Sequence, residues 1–136
     1  MIKTSNLALV FCMILCAYNA STQTFTHQDT LRGSITPQRA WWDLKYYDLS
    51  IDFDIDKKFI KGSNTISFDV ITAEQTMQID LQEPLNIDSV VLDKKQKLNY
   101  NQEGNAWHVN IPQQQKNTSV HQLNVFFSGK LFPYLL

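Results

Sequence analysis

Between Ile35 and Asp56 the chain reads ITPQRAWWDLKYYDLSIDFDID. From Tyr47 onward the odd positions are apolar (Tyr47, Leu49, Ile51, Phe53, Ile55) and the even ones polar (Asp48, Ser50, Asp52, Asp54, Asp56). Neighbouring side chains of a strand point to opposite faces. A period of two built from aromatic and β-branched residues therefore predicts a strand with one face buried. Two adjacent indoles, Trp41 and Trp42, stand before it. An extended chain sends such a pair to opposite sides, so one is expected against this domain and the other against a neighbour.

Working outward, Asp56-Lys57-Lys58 reads as a turn, and Ile60, Ile66, Phe68 and Val70 carry a second alternating strand, with Gly62 marking a bulge. Shorter strands are expected at MQIDL (Met77 to Leu81), at LNIDSVVLD (Leu85 to Asp93) and at HQLNVFFSG (His121 to Gly129). KLNY and AWHVNI flank NQEGN, a turn whose Gly104 supplies positive φ. No segment holds the i, i+3, i+4 apolar spacing over three turns, so no helix is expected. The fold class that follows is all-β: an antiparallel β sandwich or an open, saddle-like sheet, incomplete, and preceded by a signal peptide.

The signal peptide is read from Lys3 followed by LALVFCMILCA (Leu7 to Ala17), an apolar run of h-region length, and then small and polar residues. It is too short to stay as a membrane-spanning helix. The expected division is 1–21 signal peptide, 22–40 leader (polar and flexible over Thr22 to Thr30), 41–130 β domain and 131–136 an atypical apolar tail. Cys12 and Cys16 both fall in the apolar run, and Phe11 and Leu15 before them argue against lipidation. Signal removal leaves no cysteine, and so no disulfide and no thiolate chemistry.

About 115 residues then remain, enough for one core. Eleven basic and thirteen acidic residues follow Ser21, a net charge of about −2. That balance points away from nucleic acid and from anionic membrane surfaces.

Asp52, Asp54 and Asp56 imitate the opening of a calcium loop. Lys57 stands where the loop needs Gly and Ser63 where it needs Glu, so a solvated strand face is the expected reading. His27, His108 and His121 form no H-E-x-x-H pair, although His108 and His121 could meet across neighbouring strands. No G-x-S-x-G or phosphate-binding glycine loop occurs. The aromatic residues, Trp107 among them, are expected to serve core and domain packing. A glycan-stacking platform is the alternative.

The segment DTLRGSITPQRAWWDLKYYDLSIDFDIDKKFIKGSNTISFDV (Asp29 to Val70) resembles the start of secreted bacterial metallopeptidases of the aminopeptidase N family, peptidase family M1. In that branch an R-G-S-x-T-P-x-R-A-W-W-D segment precedes the first strand and I-x-G-S-N-T-I-x-F forms the next. MQIDLQEPLNIDSV, EGNAWHVNIP and FFSGK continue the likeness over about 100 residues. The matching residues singled out for domain packing are Arg32, Gly33, Pro37, Arg39, Trp41, Trp42, Asp43, Gly62 and Asn64.

The resemblance implies a saddle-shaped N-terminal β domain that packs on a thermolysin-like catalytic domain. In the full-length family, H-E-x-x-H and a later Glu bind zinc, and G-x-M-E-N recognises the substrate amine. Neither motif occurs here, so no catalytic residue is carried over and no cofactor is expected in this chain. After Lys130 the likeness stops, and LFPYLL (Leu131 to Leu136) reads as an out-of-frame tail or an incomplete gene product. The expectation is thus an exported, truncated, non-catalytic N-terminal domain, periplasmic or extracellular. Its partner would be the catalytic domain of a full-length protein, with self-association through exposed sheet edges. The alternative is a free-standing secreted β-sandwich module that binds glycan or peptide. Intact-mass measurement of the exported protein should place the new N-terminus between Ala17 and Thr24; full-length mass would refute cleavage.

Overall fold

The computed structural model describes residues 26–73, 75–112 and 120–131. The expected signal peptide, both cysteines and residues 132–136 lie outside these. Among the described residues two short helices, α1 (His27–Gly33) and α2 (Pro37–Ala40), lead into eight strands. These are β1 (Trp42–Asp54), β2 (Phe59–Val70), β3 (Thr76–Asp80), β4 (Asn86–Leu92), β5 (Gln96–Leu98), β6 (Tyr100–Glu103), β7 (Ala106–Asn110) and β8 (His121–Lys130). A five-stranded antiparallel sheet runs β1-β2-β8-β4-β5, and a three-stranded one runs β3-β7-β6. Both are open, as the all-β reading expects.

The β1–β2 hairpin turns at Ile55 to Lys58, with Lys58 at φ 50°. Asp54 stabilises the turn by accepting from the Lys57 backbone N–H (3.0 Å) and from its Nζ (2.8 Å). Those two bonds, the Nζ one foremost, hold the Asp54 carboxyl below its usual pKa.

Along β1 the register slips between Leu44 and Tyr46, which makes Lys45 an extra residue. Trp42 and Leu44 face the same way as Val70 and Phe68, while Tyr47, Leu49, Ile51 and Phe53 face the same way as Ile66, Asn64, Gly62 and Ile60. The bulge thus moves the inward row from even to odd positions and keeps it on one face.

Gly62 is not the expected bulge. It sits in unbroken register between Ile51 and Phe127. A Cβ there would come within 2.8 Å of a Phe127 ring carbon and 2.5 Å of the Ser50 carbonyl. The missing side chain is what lets the Phe127 ring lie against β2.

The core fills the space between the sheets. Ile66, Phe68, Val70, Val90, Leu92, Leu123 and Val125 meet Met77, Trp107, Val109 and Ile111, all buried. Trp41 and Trp42 both bring their indoles edge-on to Phe68, each with centroids 6.0 Å apart. Opposite projection is therefore corrected. Trp41 is the αR residue that ends α2, so it has not yet entered the extended chain and turns to the same ring as Trp42.

The helices correct two more expectations. Residues 26–40 contain helix although no long apolar period marks it, because both helices are too short to show one. In α1 a capping box joins Thr26 and Asp29 reciprocally. In α2 Pro37 occupies the first turn, where its missing N–H costs nothing. Nor is Thr26 to Thr30 a loose leader, since His27 Nε2 lies 2.8 Å from Glu103 on β6, and the residues that follow are tied as well. The Gln78 amide on β3 donates to the Leu31 carbonyl at 3.0 Å, and Thr36 Oγ1 donates to Gln78 Oε1 at 3.3 Å. This segment covers the outer face of the small sheet.

Phe68→Ala should cost about 3–5 kcal/mol, because a fully enclosed ring leaves a cavity between three aromatic neighbours. Gly62→Ala should cost about 1–3 kcal/mol by displacing Phe127. Urea unfolding checks both; a change below about 0.5 kcal/mol in either would refute its packing role.

Candidate interaction surface

The small sheet does not cover the whole inner face of the large one. On β8, β4 and β5 and at the Ile66 to Val70 end of β2 the inward residues are buried, the rest of the β2 row is partly buried, and every residue from Asp43 to Phe53 on β1 is exposed. Leu49 is 56% and Phe53 60% exposed. The strand was read correctly and its burial was not. Its apolar row is present but, beyond the Trp42 end, nothing among the described residues covers it.

Behind this row lies an apolar groove of about 300 Å³. Leu49 and Ile51 form its outer lip, Ile60, Ile66 and Phe127 its floor, and Ile79 and Leu85 its far wall. One polar group breaks the floor. Asn64 Oδ1 is buried with no hydrogen-bond partner among the described residues. An unpaired buried acceptor costs on the order of 1–3 kcal/mol, so a covering group with an N–H or O–H would relieve it.

At the rim, Asp80 pairs with Arg39 and accepts from Gln78 Nε2 at 3.0 Å. Arg39 also donates to the carbonyls of Leu31 (2.8 Å) and Arg32 (3.1 Å). One guanidinium thus fastens the end of α1 and the end of β3 to α2.

The nine residues singled out from sequence separate into four places. Arg32, Gly33, Pro37 and Arg39 build the docked helical segment. Trp41 and Trp42 close one end of the core, with Trp41 Nε1 donating to the Thr76 carbonyl at 2.8 Å. Asp43 meets Lys45 Nζ at 2.8 Å, and that ammonium also meets Asp69 at 3.1 Å across the strands. Gly62 and Asn64 alone belong to the exposed side, beneath Ile51 and Leu49.

Ile79 and Leu85 were not foreseen as groove walls, because β3 and its following loop are remote in sequence from β1. The Lys45 bulge was legible. The apolar parity changes from Trp42 and Leu44 to Tyr47 and Leu49.

His108 and His121 do not meet. His108 lies on β7 with Nε2 3.8 Å from Glu103, while His121 lies on β8 in the other sheet. His121 Nδ1 is 3.0 Å from Asp93 Oδ2, its ring stacks at a tilt on Phe68, and its Nε2 is buried without a partner among the described residues. His27 meets Glu103 at 2.8 Å. Asp52 meets Lys61 at 3.2 Å. Among the described residues no group of three or more His, Cys, Asp or Glu side chains could hold a metal ion. Trp41 and Trp107 are buried, which removes them from any stacking platform.

Tyr47 reports on this surface. Burial of its phenol, and secondarily the Asp80 carboxylate, push its pKa above the ordinary tyrosine value. The unfolded chain ionises Tyr47 at the lower, ordinary value. The stabilisation is therefore complete below about pH 10 and is lost as pH rises through the folded value. Tyr47→Phe should delete the phenol that ionises late in an ultraviolet titration and should lessen the stability lost above about pH 10. An unchanged late phase would refute the assignment.

Compared with known protein families the chain matches none, and no curated protein matches it. Solved structures do match. The M1 zinc metallopeptidase of Deinococcus radiodurans bound to a Tyr-Ser-Ala substrate aligns with a TM-score of 0.58 at 15% identity, over 70% of this chain and 22% of that one. The same enzyme in another crystal structure gives 0.57 at 15%, over 67% and 21%. Native yeast LTA4 hydrolase gives 0.53 at 18%, over 66% and 15%. The chain spans about a fifth of the length of the Deinococcus enzyme. The residues described here do not fit the zinc for which that enzyme is named. What the chain has in common with these M1 metallopeptidases is its fold.

Proposed function

We propose that this chain is the non-catalytic N-terminal β domain of an exported, aminopeptidase N-like zinc metallopeptidase, and that its task is to pack against a catalytic domain. The observation that carries the reading is the exposed apolar row of β1, Leu49, Ile51 and Phe53, beside an apolar groove. A contiguous apolar surface of this kind marks an interaction site. The fold likeness to M1 metallopeptidases and the Arg32 to Asp43 and Gly62 to Ile66 blocks support the choice of partner. Zinc and the groups that activate water would reside in that partner. The domain's own contribution is rigid shape and an apolar wall that excludes water from the contact.

The purified chain should hydrolyse no aminoacyl-anilide, with or without added zinc. Hydrolysis that a chelator abolishes would overturn the proposal. Translating the gene in all three frames downstream of the Lys130 codon should reveal G-x-M-E-N and H-E-x-x-H. A coding region without them, and without a separate partner that carries them nearby, would count equally against it.

A further inference from the structure

The edge of β1 carries information that its apolar face does not. Among the described strands β1 pairs with β2 alone, so one side of its backbone is an unpaired ladder. At 13 residues it is about twice the common strand length. A long edge with apolar side chains is a template for another strand. The side-chain pattern says which kind. Tyr47, Leu49, Ile51 and Phe53 point to the inner face, and Asp48, Ser50, Asp52 and Asp54 to the outer. Residues directly opposite in paired strands share a face, and opposite charges there are favourable while like charges are not.

We propose that the free edge of β1 is a strand-addition site for an extended segment of another protein whose residues alternate between apolar and Lys or Arg. Its apolar side chains would lie beside Leu49, Ile51 and Phe53 and extend the lip of the groove. Its cations would lie beside Asp48, Asp52 and Asp54. Asp54 and Asp52 meet Lys57 and Lys61 in water-exposed pairs that hold them weakly, and Asp48 has no ion pair among the described residues, so three carboxylates still outnumber two cations along the row. A second copy fits poorly. Two β1 strands paired about a twofold near Ser50 set Asp48 of one copy against Asp52 of the other. Neighbouring registers set Asp52 against itself or Asp48 against Asp54. The acidic row thus works against self-pairing and favours a basic partner. The inference rests on edge and charge alone and stands whether or not a catalytic domain covers the inner face.

The test uses a short blocked peptide of alternating Val and Lys. Its control has the same composition, with the valines and lysines segregated into halves. Calorimetry should find saturable binding of the alternating peptide and much weaker binding of the control. Amide hydrogen exchange should slow within Tyr47 to Phe53 when the alternating peptide binds. The double substitution Asp48→Lys and Asp52→Lys, at exposed side chains, should weaken binding by about tenfold or more. Equal binding of both peptides, no binding, or unchanged exchange along β1 would each overturn the proposal. So would a dimer by light scattering whose β1 amides are already protected without peptide. The exchange measurement on the unsubstituted protein decides the matter even if the double variant fails to fold.

Discussion

Phe68 is fully enclosed, and the incoming chain and β8 meet at its ring on β2. Trp41 and Trp42 approach it edge-on from the start of β1, and His121 lies tilted across it from β8 at a centroid distance of 5.7 Å. The edges of aromatic rings are positive and their faces negative, so edge-on contacts add to what burial alone supplies. The His121 ring is in turn held by Asp93, which also accepts the Gln122 backbone N–H at 2.8 Å. The β4–β5 turn, β8, β2 and the incoming chain are thereby tied to one side chain. The Ile71 and Thr72 amides both donate to the Trp41 carbonyl, at 2.8 and 3.1 Å, which fixes the exit of β2 at the same place.

From that closed end the structure opens. Burial is complete around Phe68 and falls away along β1 toward Phe53, because the small sheet is anchored over β2, β8 and β4. The Lys45 bulge keeps both halves of β1 facing inward, so the exposed half is an extension of the core's own surface. An apolar row aligned with a core but left bare is a surface awaiting cover. Asn64 Oδ1, beside that row and unpaired among the described residues, is a second sign of unfinished packing.

How much of this was legible follows from the range of each interaction. The strands were readable because alternation is local, and so was the turn at Lys57-Lys58. The two helices were not, because a helix of one or two turns shows no period. Their stability comes from Gln78, Asp80 and Glu103 on the far side of the small sheet. Gly62 was misread because a glycine in a strand signals either a bulge or a close approach. Only the position of Phe127, brought across by the β2–β8 register, decides between them. The division of the nine signature residues between helix docking, core closure, an ion pair and the exposed groove is invisible without the sheet order.

By itself the sequence determined that this is a β protein with one long acidic-and-apolar strand, since period and composition are properties of neighbouring residues. Only the tertiary structure decided which apolar residues are buried. Leu49 and Leu123 are the same residue type in strands of the same period. One is bare and the other enclosed, because burial depends on what the rest of the chain brings to the opposite side.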